Sequence, residues 1–320
     1  MATGNFSGDE KQYTFLVEQL HCSPHLLFAA GTHHLIFLSV LNSFLSLAAF
    51  LGNSLILVAL RKESSLHPPS KLLLRNLATT DLCVDLIAQP LSVTLWVTII
   101  NEHWNTCRYV ALAVSVTSYI LCVVSLLTMT AISVDRLLAL LLGLRYSQVV
   151  TLKRVYLITI TFFVASTASS TTRIFLNSLV ASWHDMLVVL LCLVASIYSY
   201  TKIFFTLRHH QNQVQDHVQQ PNQTNQLNIA RYRKAVFTAL WLQVMLVVCY
   251  LPYLLLVASL FHVEPSSIVS LAWTYTSTLV FLNSSLNPIL YCWKIDAVKQ
   301  EVKDIIRQIL CFWSIQMLYN

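Results

Sequence analysis

The 320-residue chain is 56% hydrophobic and only 11% charged, far too apolar to wrap a core in a water-facing surface, which excludes a soluble globular protein. Its net charge of +6 comes from Lys and Arg gathered on one side of the implied bilayer. The charge therefore records topology and gives no hint of nucleic-acid binding.

Seven apolar runs reach the ~20 residues that cross a membrane as helix. They are His34–Leu60, Leu72–Ile100, Tyr109–Leu137, Val155–Phe175, Met186–Leu207, Ala235–Phe261 and Ile268–Tyr291. The expected fold is an all-α membrane protein, a seven-transmembrane helix bundle over residues 34–291. A tail of residues 1–33 precedes it, and a cytoplasmic segment of residues 292–320 follows. With the N-terminus outside, only Lys11, Arg108 and Arg173 lie on extracellular segments, and the other seventeen of the twenty basic residues face the cytosol.

The tail carries the sequon Asn5-Phe6-Ser7, and the absence of a basic n-region makes the first span its own insertion signal. His33 and His34 sit at the outer end of that span. Arg61–Ser70, with His67-Pro68-Pro69, reads as a short turn, and Glu102-His103-Trp104 as the next outer loop. The connection Leu176–His184 is short and lacks cysteine. The stretch from His209 to Ala230, rich in Gln, Asn and His, has no apolar period and reads as a flexible linker. Beyond the last span, Trp293–Trp313 alternates apolar and charged residues with a helical period, which predicts a short amphipathic eighth helix on the inner leaflet. Of eight cysteines, Cys22 and Cys107 alone face the oxidising side. They either bridge, tying the tail to the third span, or stay free.

Polar residues inside the spans converge on one depth. Counted from the nearest cytosolic charge at 1.5 Å per residue, Asn53, Asp81, Ser125, Asn283 and Asn287 all lie roughly 9–16 Å into the membrane. A carboxylate there is costly unless a cation, water or hydrogen bonds compensate. Asp81 as the charged ligand, with Asn53, Ser125, Asn283, Ser284 and Asn287 as neutral partners, suits a Na⁺ ion or a proton, or a buried water network. Asp85 follows one turn later, either as a second carboxylate coupled to the first or facing a wetter outer cavity. Pro252 and Pro288 each remove a backbone hydrogen bond, so they are either hinges or static bends of the sixth and seventh helices.

These residues in this order resemble the rhodopsin-like (class A) G-protein-coupled receptors, across roughly Leu35 to Arg307. The resemblance is carried by Gly52-Asn53-Ser54, Asn76-Leu77-Ala78-Thr79-Thr80-Asp81-Leu82, Asp135-Arg136, Cys249-Tyr250-Leu251-Pro252 and Asn283-Ser284-Ser285-Leu286-Asn287-Pro288-Ile289-Leu290-Tyr291. It implies a plasma-membrane receptor, not an enzyme, whose partners are an extracellular ligand, a heterotrimeric G protein and arrestin. It also implies a sodium pocket at Asp81, Ser125 and the seventh-span Asn residues. Asp135 would hold Arg136 at rest, and Tyr200 and Tyr291 would turn inward to support the open state.

Several departures from the family pattern carry expectations of their own. Leu137 follows Arg136 where the family has Tyr, Tyr250 and Phe163 stand at usual Trp positions, and Cys192 replaces a fifth-span proline. Basic residues occupy the sixth-span position that often pairs with the Arg, so Arg136 is expected to be held weakly. Missing proline and a short second outer loop are similar to the melanocortin, lysophospholipid, cannabinoid and adenosine receptor group.

Ser118, where amine receptors carry Asp, and Phe281, where opsins carry Lys, disfavour amine and retinal ligands. The pocket expected from Ser118, Tyr119, Cys122, Tyr250, Tyr253, Leu254, Ser277 and Phe281 is aromatic and without fixed charge. It suits a small neutral or lipid-like molecule, although the same positions also suit plain helix packing. The rival from another class is an ion- or proton-coupled transporter with Asp81 and Asp85 as its relay.

Overall fold

The computed structural model describes Cys22, residues 24–62, 66–175, 178–217, Trp241, and residues 243–259, 266–294 and 299–308. The described residues are helical, with short turns between helices. The helices are α1 (Pro24–Lys62), α2 (Pro68–Ile100), α3 (Trp104–Leu142), α4 (Leu152–Phe175), α5 (Ser178–His217), α6 (Gln243–Ser259), α7 (Ser267–Lys294) and α8 (residues 299–308). Five of them, α1 to α5, are long and apolar enough to cross a membrane. The α7 helix spans 28 residues, about 42 Å, but is more polar inside.

Where their residues are described, the predicted spans lie on helices, and several helices overrun the prediction. The α1 helix starts at Pro24, ten residues before His34, and takes in Gly31 at a φ of 67° that interrupts its regular geometry. Trp104, read as part of an outer loop, instead opens α3, and the stretch after His209, read as linker, stays helical to His217. Helices exceed apolar runs because a helix needs no lipid once its backbone bonds are made, so it continues past the hydrocarbon boundary. In α8, Val302 and Ile305 are buried while Lys303, Asp304 and Arg307 are exposed, the expected amphipathic division.

The bundle inverts the polarity of a soluble protein. Along α1, Phe37, Val40, Phe44, Leu47 and Leu51 are exposed, whereas Asn42 and Asn53 are fully buried. Such a stripe presents hydrocarbon to lipid and reserves polar groups for contacts between helices. The central helix is α3, which packs against α2, α4 and α5, while α1 packs against α2 and α7. One interior cluster joins Ile56 and Leu60 of α1, Leu77 of α2, Leu126 and Met129 of α3, Cys192 of α5 and Leu246 and Tyr250 of α6. Gly52 lets α1 close on α7: a Cβ there would stand 2.9 Å from the ring of Pro288.

The α2 helix is not uniform. Val84–Ala88 forms one π turn between α-helical halves. Pro90 supplies the cause, since it has no N–H for the carbonyl four residues back and its ring crowds that carbonyl. The wider turn re-phases the helix so that Asp85, Ala88, Gln89 and Ser92 all face inward and are buried.

Candidate functional site

The polar layer closes around Asp81, which is fully buried. Its Oδ1 accepts from Ser125 Oγ at 2.8 Å and from Ser284 Oγ at 3.0 Å, and its Oδ2 accepts from Asn287 Nδ2 at 2.7 Å. Three helices, α2, α3 and α7, are therefore tied to one carboxylate at one depth. Two expected members stand elsewhere. Asn283 donates to Met129 Sδ at 3.2 Å, because it lies one residue off the face of Ser284 and Asn287. Asn53 donates to Asp85 Oδ2 at 3.1 Å and to the carbonyl of Ser284 at 3.3 Å. Asp85 faces neither lipid nor an outer cavity; it is fully buried and also receives Gln89 Nε2 at 3.3 Å. The donor set at Asp81, one carboxylate with two hydroxyl oxygens, fits the oxygen preference of Na⁺.

At the Arg136 end of the bundle, Asp135 binds away from its neighbour. Ser70 Oγ donates to its Oδ2 at 2.8 Å and Tyr146 Oη to its Oδ1 at 2.5 Å. Arg136 Nε lies 3.9 Å from Asp135 Oδ2 and makes no hydrogen bond among the described residues. A contact of that length is ionic only; the basic residues on which the expectation of a weakly held arginine rests, Arg231 to Lys234, lie outside the described residues. Tyr146 belongs to a one-turn helix, Tyr146–Val149, after the Gly143 terminus of α3, and its ring lies against His67 at 5.0 Å. Tyr200 is buried with Leu137 and Ile203 beside this rim. Tyr291 falls on α7, but its side chain is outside the described residues.

Toward the other end lies a cavity with about 130 Å³ of free space. Seven of the eight expected residues line it: Ser118, Tyr119, Cys122, Tyr250, Tyr253, Ser277 and Phe281. Leu254 instead packs against the interior cluster, one position off the face that Tyr253 presents. The lining is not free of charge, contrary to expectation. Arg173 of α4 and Asp185 of α5 both face it, joined at 3.1 Å, with the guanidinium 4.3 Å above the Tyr119 ring. Tyr119 Oη lies 3.4 Å from His184 Nδ1. Arg173 was expected on an outer segment. The signal was available: opposite charges end one span and begin the next, and a very short link holds those ends together. Trp96 and Trp273 also line the cavity.

Cys22 and Cys107 are bridged, with their Cα atoms 6.0 Å apart. The bridge fixes the chain ahead of α1 to the start of α3. On the same face, His34 Nδ1 and Tyr275 Oη are 2.7 Å apart, joining α1 to α7. Asn5 is outside the described residues. Pro252 lies within α6 and Pro288 within α7.

Residues 52–185 and 176–291 match the model of the 7 transmembrane receptor (rhodopsin family). Melanocortin receptor 5 of Mus musculus is 23% identical over 275 residues, 82% of this chain and 82% of its own. The 5-hydroxytryptamine receptor 1D of Homo sapiens is 31% identical over 111 residues, 35% of this chain and 29% of its own. Probable G-protein coupled receptor No9 of Amphibalanus amphitrite is 34% identical over 131 residues, 41% of this chain and 27% of its own. The matched region thus spans under a third of two of these relatives and most of the third. Since the family match runs from Gly52 through Tyr291 and takes in Asp81, Asp135-Arg136 and Asn287-Pro288, the chain belongs to the rhodopsin family of seven-transmembrane, G-protein-coupled receptors.

Proposed function

We propose that the protein sits in the plasma membrane with its N-terminus outside, binds a small ligand in the cavity beneath the Cys22–Cys107 bridge and activates a heterotrimeric G protein through Arg136. Arrestin is the second cytosolic partner, and the protein is not an enzyme. The observation that carries this reading is the stack of three connected levels in one bundle. A lined cavity lies toward the bridge, the Asp81 layer ties α2, α3 and α7 midway, and a loosely held Arg136 lies at the opposite rim. Ligand and G protein are linked because each favours one arrangement of the same helices.

The ion pair in the cavity refines the ligand class. Arg173 and Asp185 neutralise each other, so a ligand of zero net charge meets no uncompensated field. Asp185 Oδ1 is buried, 3.7 Å from His184 Nδ1 and without a hydrogen bond among the described residues, and is placed to accept one from a ligand hydroxyl or N–H. Trp96, Tyr253, Trp273 and Phe281 supply apolar walls for an aromatic or alicyclic body. A small neutral molecule with one polar donor end fits better than a wholly lipid-like one. Where sodium binds, Asp81 with the Ser125 and Ser284 oxygens would hold it, and it would supply positive charge that stabilises the ionised carboxylate. The family match supports the receptor reading, and nothing in it supports a transporter.

The test is nucleotide exchange in membranes carrying the receptor and a panel of G proteins. At least one G protein is expected to exchange faster with the wild type than with empty membranes, and Arg136→Ala is expected to remove the excess. No excess with any G protein, or an excess that Arg136→Ala leaves intact, contradicts the proposal.

A further inference from the structure

We propose that the cavity selects a free α-amino acid with an apolar side chain, seating its ammonium on Asp185 and its carboxylate on Arg173. The assignment rests on the ligand-binding reading above and deepens it: the polar end of the ligand becomes two opposite charges on one carbon. Among the described residues lining the cavity, Arg173 and Asp185 alone carry a fixed charge. Both are largely buried, at 16% and 5% exposure, and Arg173 Nη1 meets Asp185 Oδ2 at 3.1 Å.

A buried ion pair seldom repays the desolvation of its charges, and apolar side chains of similar volume often hold two helices as well. Fastening α4 to α5 is thus a poor reason to place this pair on a cavity wall. Its other oxygen, Asp185 Oδ1, has no hydrogen bond among the described residues, since His184 Nδ1 at 3.7 Å is too far to give one. That oxygen is an acceptor for an ammonium N–H. A guanidinium carries several N–H donors in a planar fork, so a bond to Asp185 does not exhaust its capacity for a second carboxylate. The guanidinium stands 4.3 Å above the Tyr119 ring, a cation–π contact that holds it in place.

Charge balance decides between ligand classes. An amine alone adds a positive charge to a balanced pair, and a carboxylic acid alone adds a negative one. A zwitterion lays its charges antiparallel to the pair, so every charge has an opposite neighbour and the cavity stays neutral. An uncharged alcohol engages the acceptor and leaves the guanidinium fork unused. The rest of the wall, with Trp96, Tyr253, Trp273 and Phe281, offers no countercharge to a charged side chain, which is therefore excluded. The free space of about 130 Å³ lies below the ~300–1,000 Å³ of pockets for drug-sized ligands. It suits a single amino acid and not a peptide.

The experiment follows the melting temperature of the purified full-length receptor in detergent as L-valine, L-leucine or L-phenylalanine is added. Each is matched with the amine that lacks its carboxylate and the acid that lacks its ammonium, phenethylamine and 3-phenylpropanoate in the case of L-phenylalanine. At least one amino acid is expected to raise the melting temperature with a saturable dependence. Both of its analogues are expected to need at least tenfold higher concentrations, the loss of one charge-assisted contact. Asp185→Asn is expected to weaken the amino acid at least tenfold and to abolish its advantage over the acid analogue. If Asp185→Asn does not fold, the comparison of analogues on the wild type decides alone. No rise with any of the three, an analogue as potent as its parent, or undiminished binding of the parent to Asp185→Asn overturns the proposal. Arg136-dependent nucleotide exchange is read without added ligand, so the receptor reading and this one fail separately.

Discussion

Asp135 spends both carboxylate oxygens on hydroxyls, Ser70 on one side and Tyr146 on the other, and leaves Arg136 an ionic contact at 3.9 Å. Removing one hydroxyl frees Oδ1 for the guanidinium, since the arginine is then the strongest remaining donor at that oxygen. Tyr146→Phe is therefore expected to tighten the Asp135–Arg136 pair and lower basal nucleotide exchange. One hydrogen bond at ~1 kcal/mol corresponds to about fivefold. A basal rate equal to or above that of the wild type counts against this account of the rim. Sequence alone identified Asp135 and Arg136 by position. It did not identify Tyr146, because the contact closes across a glycine-terminated turn whose geometry no local pattern encodes. Asn53 shows the same limit from the other direction. Its depth was legible from the count to Arg61, but depth does not tell which of two carboxylates an amide reaches.

Among elements, α1 and α7 approach through Gly52, where an added Cβ would lie 2.9 Å from Pro288 Cβ and Cγ. Neither partner is the flexible end of a side chain, so the helices must separate to admit a methyl group. Gly52→Ala is expected to destabilise the folded receptor by ~1–3 kcal/mol, the usual range for overpacking. Thermal unfolding in detergent reads this, and an unchanged or higher melting temperature contradicts it. Gly52 was legible as part of Gly52-Asn53-Ser54, whereas its partner across the bundle was not. The seven runs themselves were legible because lipid demands length and apolarity together, a signal that needs no tertiary information. The helix ends were not, since beyond the hydrocarbon that demand lapses. The π turn in α2 follows from Pro90, whose effect is local, but a proline in an apolar run is equally compatible with a plain kink, so the pattern alone does not specify it.

For the whole molecule, the bundle is fastened at both ends and in the middle by different chemistry. At one end the Cys22–Cys107 bridge closes a separation of 85 residues and holds the chain entering α1 over α3. Cys22→Ser is expected to lower stability by ~2–4 kcal/mol, most visibly as a lower melting temperature under non-reducing conditions. Equal melting temperatures for variant and wild type in the absence of reductant contradict a stabilising bridge. In the middle, one carboxylate joins three helices, and at the other end a tyrosine and a serine hold the acid beside Arg136. The pairing of Arg173 with Asp185 was hidden for a related reason: each residue looked like a rim charge, and only the docking of α4 on α5 shows both facing the cavity.

The central claim is that the Asp81 layer sets how readily the Arg136 rim engages its partner. Basal nucleotide exchange should be compared between the wild type and Asp81→Asn in membranes of matched receptor density. Asn keeps the size of Asp but removes the charge and one acceptor oxygen, so the hydrogen bonds from Ser125, Ser284 and Asn287 cannot all persist. The account predicts that the exchange rate shifts by about fivefold or more, the equivalent of at least one hydrogen bond between helices. Identical rates at matched density and unchanged melting temperature would contradict it.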